Sequence, residues 1–213
     1  YFAYGSNLNA ADLKAWSSSN GANFSSMEPI CTAWLLDHSM AFHYFSRNRG
    51  GGAADVVQNS RGTVVPGVLF SLSEDGWFWM DKKEGSPRCY QRQIVFVITA
   101  AGDVVEAITY TVDPDMRRAE LVPPTSAYAE IVETGLMKYK LPIEHLKLAI
   151  QNQAHKSWIS HVFVYGTLMT NRQRWAQLKP WSSGPVQDGS VRGRLYDLGA
   201  YPGLRLDEQG VVH

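Results

Sequence analysis

A chain of 213 residues with 45% hydrophobic side chains is long enough to bury one large core or two modest ones, and this composition excludes a disordered protein. Twenty basic residues balance twenty acidic ones, so no net field favours nucleic acid or an anionic membrane, and a small neutral or zwitterionic ligand is the better expectation. The two cysteines, Cys31 and Cys89, stand in no metal or redox spacing. No apolar run reaches the roughly 18 to 20 residues of a membrane span and no signal-like start is present, so the cytoplasm is the expected compartment.

The chain begins without Met inside an apolar run and ends in another, the marks of a fragment or of the ordered part of a longer protein. Residues 1–4 predict a short aromatic strand, 5–8 a turn, and Asn9 an N-cap for the helix that follows, with Asp12 three positions on approximating a capping box. A Ser/Gly/Asn-rich loop is expected over 17–26. Strand-like runs then recur at 31–36, 40–45, 62–70, 89–98 and 104–112, a mostly antiparallel sheet expected to curl into a small barrel. The run Gly50 to Asp55 lacks the Lys-Ser/Thr pair of a P-loop and the spacing of a dinucleotide fingerprint; it reads equally as a close backbone approach to a ligand or as a barrel corner, with Asp55 structural.

Residues 126–139 and 142–151 carry apolar side chains at helical spacing, Pro142 suiting a first helical position. They close a first domain over 1–150, and the polar stretch 151–160 reads as a linker. The chain then begins again: HVFVYGTL at 161–168 echoes YFAYGSNL at 1–8, which predicts a tandem duplication with an incomplete second copy over 161–213.

In the segment Tyr4 to Asn9, Gly5 is expected to take a backbone conformation closed to other residues. The amides that follow can then hold an anion or a developing oxyanion at a helix N-terminus. Alone, such a segment reads as an ordinary strand-to-helix connection; its recurrence at Tyr165 argues for a site. Glu84 lies in WFWMDKKEGSPRCY, where Trp77, Phe78, Trp79 and Met80 supply an expected apolar wall that would disfavour its charged form, with Asp81 as the competing acid. By spacing alone either acid reads as a solvated loop residue. The six histidines form no HExxH pattern, no GxSxG elbow is present, and neither cysteine has the flanks of a nucleophile. The seven tryptophans read as core.

With YFAYGSNL, the run Gly51 to Val57, the Glu84-Gly85 pair and PPTSAY...GL...LP...L from Pro123 to Leu148, residues 1–150 resemble γ-glutamylcyclotransferase in the family's own order. VFVYGTLM and GRLYDLGAYPGL resemble the start of its AIG2-like branch, which includes γ-glutamylamine cyclotransferases. The resemblance implies an α+β fold, a small β-barrel with flanking helices and a cavity at one end. It also implies a reaction in which the α-amine of a γ-glutamyl group attacks its own γ-carbonyl to give 5-oxoproline and a free amine or amino acid. The family's substrate loop falls on Tyr4, Gly5, Ser6, Asn7 and Leu8, and its catalytic glutamate on Glu84. Tyr90 answers to a family tyrosine, although GSPRC departs from the usual spacing. In the second copy Tyr165, Gly166, Thr167 and Leu168 match the AIG2-like loop; the equivalent acid is missing, and Glu208 reads as a turn residue. The resemblance implies no metal and no organic cofactor. The alternative is a small-molecule binding protein on the same fold without turnover.

Overall fold

The computed structural model describes residues 1–24, 27–59, 62–153, 162–182 and 185–213. The chain divides into two compact units, 1–158 and 159–213.

In the first unit β1 (Phe2–Ala3), β5 (Val64–Ser71), β2 (Glu28–Leu36), β6 (Tyr90–Thr99) and β7 (Val104–Val112) stand side by side in that order, every pairing antiparallel. The sequence pattern explains their places. In β6, Val95 and Val97 point into the core while Ile94 and Phe96 face outward, the period-2 alternation of a half-covered strand. In β5 the run Val64 to Phe70 is buried throughout, as suits a strand flanked by β1 and β2 and covered on both faces. A separate hairpin, β3 (His38–Ser46) and β4 (Gly51–Gln58), completes the core.

The chain crosses from the sheet to the hairpin at Asp37, which takes a left-handed φ of 57°. Its amide donates to the Thr63 carbonyl and its carboxylate accepts from Gly62 N at 2.8 Å, so the two crossings are tied together. Among the described residues the expected closed barrel is not formed. The hydrogen-bonded strands make an open five-stranded sheet and a two-stranded hairpin, because backbone ladders do not join β4 to β7. A side chain joins them instead: Asp55 of β4, fully buried, accepts from Val56 N and from Val112 N of β7, both at 2.8 Å. Its other oxygen holds His43 at 2.5 Å and Arg117 at 3.0 Å.

The glycine-rich run therefore lies in strand β4, and its close approach is to the chain itself. A Cβ on Gly52 would stand 1.9 Å from the carbonyl oxygen of Val122.

Helix α1 (Ala10–Asn20) extends past the expected start of the loop at Ser17, and Gly21 ends it at φ 64°. The hydroxyls of Ser17 and Ser19 fold back onto the carbonyls of Leu13 and Ala15, which lets these turn-favouring residues stay helical. Ser25 and Ser26 of that loop lie outside the described residues. Helix α2 (Glu74–Glu84) was not expected. It is capped by Ser73, carries Glu74 and Asp75 in its first turn and Lys82 and Lys83 in its last, and stops at Gly85 with φ 64°. Helix α3 (Ser126–Lys138) begins on the Thr125 cap, and α4 (Glu144–Ile150) begins two residues beyond Pro142.

Of the expected linker, 154–160 lies outside the described residues, as do His155 and His161. The second unit is built on the antiparallel hairpin of β8 (Val191–Asp197) and β9 (Pro202–Val212), with the short helix α5 (Trp175–Leu178). Val162 to Val164 are not in a strand, and Glu208 falls within β9 rather than in a turn. Trp16, Trp34, Trp77, Trp79 and Trp175 are all half-buried rather than core, while Trp158 and the side chain of Trp181 lie outside what is described.

Replacing Asp55 by Asn strands one cationic partner and weakens the joint between hairpin and sheet. The expected loss is about 2 to 4 kcal/mol of unfolding free energy in a urea titration. A loss below about 0.5 kcal/mol contradicts the role given to Asp55.

Candidate active site

Tyr4 leaves β1 and donates its hydroxyl to the Tyr110 carbonyl of β7 at 2.7 Å. Ser6–Leu8 then forms one 3₁₀ turn, closed by bonds of 3.0 Å from Leu8 N to Gly5 O and from Asn9 N to Ser6 O. The amides of Ser6 and Asn7 head that turn, where a helical turn has no partner of its own to offer them. Gly5 does not take a left-handed conformation; its φ is −116°. Nor does a close approach require glycine there: a Cβ would meet Ala54 Cβ at 3.7 Å and the Tyr128 hydroxyl at 4.0 Å, ordinary contact distances.

Three contacts hold the loop. Asn9 caps α1 by accepting from Ala11 N and Asp12 N. Asp12 does not complete a capping box; its carboxylate takes a bidentate bond from Arg49, at 2.6 and 2.7 Å, and Arg49 also reaches Ser6 Oγ at 3.4 Å and lies over the Tyr128 ring. Behind the turn, Gly135 of α3 lets the helix close on Leu8, since a Cβ there would be 2.7 Å from Leu8 Cβ.

Glu84, half-buried, is the last residue of α2, and Gly85 turns the chain away behind it. The structure brings it to the loop: Asn7 Nδ2 donates to Glu84 Oε1 at 2.8 Å. Tyr4, Gly5, Ser6, Asn7, Glu84 and Tyr90 line one cavity of about 30 Å³ with Ala54, Tyr1, Tyr110 and Tyr128. That is about the room of one water molecule, so side chains must open outward to admit anything larger. Leu8 lies beneath it in the core. Tyr90 spends its hydroxyl on the Ala54 carbonyl at 2.8 Å, and Tyr128 accepts from Ala54 N at 3.2 Å.

The wall around Glu84 is phenolic rather than indole. Phe78 and Trp79 pack on Lys82, Trp77 backs Tyr1 and Tyr110 from outside, and only Met80 of the expected wall reaches Asn7. Burial first, and the Glu84 charge after it, push the Tyr1 phenol well above its ordinary range. Burial does the same for Tyr4, with Asp55 and Glu84 adding to it, and for Tyr90, and it raises Tyr128 against the opposing pull of its bond to Ala54 and of Arg49. Tyr110 is raised by burial and by its bond to Asp81. Asp81 is engaged elsewhere, gripped by Arg92 at 2.7 Å and taking the Tyr110 hydroxyl at 2.6 Å.

A larger cavity of about 220 Å³ lies between β3 and residues 118–121 and shares no lining residue with that of Glu84. Among the described residues no cluster of His, Cys, Asp or Glu is placed to hold a metal. In the second unit Gly166–Leu168 again forms a 3₁₀ turn after Tyr165, whose hydroxyl accepts from Leu204 N at 3.2 Å. Tyr1, Tyr110 and Tyr128 were not singled out from the sequence, although Tyr128 closes the PPTSAY run.

Residues 1–130 and 162–213 match the family described as γ-glutamyl cyclotransferase, AIG2-like. Among solved structures, the chain is similar to one of gamma-glutamyl cyclotransferase, with 25% identity and a TM-score of 0.59 over 76% of this chain and 92% of that one. It is also similar to an uncharacterized protein from Homo sapiens, loc79017, at 26% identity and a TM-score of 0.57 over the same shares. YkqA from Bacillus subtilis matches at 25% identity and a TM-score of 0.57 over 73% of this chain, which spans 55% of YkqA. No curated protein matches.

A phenol whose folded pKa is raised contributes stability below its unfolded value of about 10, and that stability drains away as the pH climbs toward the folded value. Five cavity tyrosines should therefore ionise only as the protein unfolds cooperatively above pH of about 10. Tyrosinate absorbance followed together with near-ultraviolet dichroism checks this. Ionisation of all the phenols near pH of about 10 with the fold intact contradicts it.

Proposed function

This chain belongs to the γ-glutamyl cyclotransferase, AIG2-like family, and from that premise and the Asn7–Glu84 contact we propose that its first unit cleaves a γ-glutamyl amide by internal cyclisation. The substrate's α-nitrogen attacks its own γ-carbonyl carbon, the amide bond to the leaving nitrogen breaks, and 5-oxoproline and an amine or amino acid result. No water is consumed. The proton lost by the attacking nitrogen passes to Glu84 and from there to the leaving nitrogen, so one carboxylate serves as base and then as acid.

One observation carries this reading: Glu84 is the one carboxylate among the described residues that line the cavity, and Asn7 of the loop holds it there at 2.8 Å. The amides of Ser6 and Asn7 suit the developing oxyanion, already oriented by the 3₁₀ turn. A ring closure within one molecule asks little beyond this, since confinement of a bent conformer supplies much of the acceleration.

In the same reading the tandem organisation is a domain over 1–150, a linker over 151–160 and an incomplete second copy over 161–213. A 3₁₀ turn at a Tyr-Gly pair in both units, over Ser6–Leu8 and over Gly166–Leu168, supports it. The free thiols of Cys31 and Cys89 are in keeping with a cytoplasmic setting. No helix among the described residues is long and apolar enough to cross a membrane.

The test is 5-oxoproline release from a panel of γ-glutamyl amino acids and γ-glutamylamines. Glu84→Gln is expected to lower kcat/KM by about 10² to 10⁴, with Asp81→Asn far milder. A Gln variant as active as the parent would remove Glu84 from the mechanism, and binding without any turnover would make the chain a non-catalytic member of its family.

A further inference from the structure

Asn7 is buried, 6% exposed, and it lines the Glu84 cavity. Its Nδ2 donates to Glu84 Oε1 at 2.8 Å and to the Tyr1 hydroxyl at 2.7 Å, which occupies both hydrogens; Met80 Sδ at 3.3 Å can only share one of them. At the other end of the same group, Oδ1 has no hydrogen-bond partner among the described residues. Turning the carboxamide over is no remedy, since Oδ1 would then confront the Glu84 carboxylate, acceptor against acceptor. A buried acceptor without a donor is uncommon in a folded protein, and here it belongs to the side chain that holds the cavity's carboxylate.

We propose that Asn7 Oδ1 receives the α-ammonium of the substrate, so that a single carboxamide fixes both the base and the nucleophile. The assignment rests on the cyclotransferase reading. Any ligand group that meets Oδ1 must be a donor, which excludes the substrate's carboxylate and its carbonyls. Between its two kinds of N–H, the cationic one makes the stronger bond and is the one drawn to a site adjoining a carboxylate.

With one N–H held by Oδ1, a second N–H of the ammonium faces Glu84 and passes its proton there. The electron pair left on nitrogen forms the bond to the γ-carbon. As the bond from that carbon to the leaving nitrogen breaks, Glu84 returns the proton to it, and the ring nitrogen gives up its second proton to the released amine, which departs as an ammonium. Asn7 Nδ2 keeps Glu84 in place through both transfers, and the bond to Tyr1 keeps the carboxamide from rotating.

A ligand comparison tests this without turnover. In Glu84→Gln, binding is measured by calorimetry for γ-glutamyl-alanine and for glutaryl-alanine, which lacks only the α-amine; γ-glutamyl-ethylamide and its glutaryl counterpart replace them if the parent enzyme cleaves that compound instead. The amine is expected to tighten binding at least about tenfold. Adding Asn7→Leu should shrink that preference to less than about twofold and leave the glutaryl ligand bound as before, whereas Asn7→Asp, which keeps an acceptor, should retain it. A preference that survives Asn7→Leu, or equal weakening of both ligands, overturns the proposal. If Asn7→Leu does not fold, loss of the preference in Asn7→Asp overturns it and retention supports it. Failure of the parent enzyme to release 5-oxoproline from any γ-glutamyl compound is a different result, and refutes the cyclotransferase reading itself.

Discussion

A single buried carboxylate sets the geometry on which the rest of the first unit depends. The strands do not close on themselves through backbone ladders, so the hairpin of β3 and β4 has to be fastened to the larger sheet by side chains. Asp55 does this from β4, with two amides, one of them on β7, and two cationic or polar side chains around it. Its neighbour Ala54 is thereby fixed, and Ala54 is where Tyr90 and Tyr128 anchor their hydroxyls. Two of the five phenols around Glu84 therefore depend on where β4 stands.

The same dependence runs through the loop. Its turn is short and internally weak, two bonds of 3.0 Å, and it acquires a fixed position from outside: from Gly135 of α3 behind it, and from Arg49, which reaches it from the turn that joins β3 to β4. Glu84 arrives from the opposite direction, carried by the last turn of α2 and released by Gly85. Two elements that are far apart in the chain therefore meet at the contact between Asn7 and Glu84.

Some of this was legible in the residues and some was not, for physical reasons. The loop could be read because the chain repeats it at Tyr165, and Asn9 could be read as a cap because its chemistry is local. Helix α2 was hidden, since Trp77, Phe78 and Trp79 mask its period, although Ser73, Lys82, Lys83 and Gly85 mark both of its ends. Strand β4 was hidden because glycine normally signals a turn; only the crossing of Val122 explains why Gly52 must lack a side chain. The barrel was expected from alternation, which reports the face of a strand and not its neighbour. The resemblance pointed to Glu84, but the partner that holds it lies 77 residues away, and the tyrosines come from the two flanks of β1 and from β6, β7 and α3, which no local pattern records.

The central claim is that ring closure, and not hydrolysis, is the chemistry of the Glu84 cavity. The most direct measurement is turnover of a γ-glutamyl substrate in water enriched in heavy oxygen, with both products analysed by mass spectrometry. The account predicts 5-oxoproline without solvent oxygen, in equal amount to the released amine. Free glutamate carrying one heavy oxygen as the first product would contradict it.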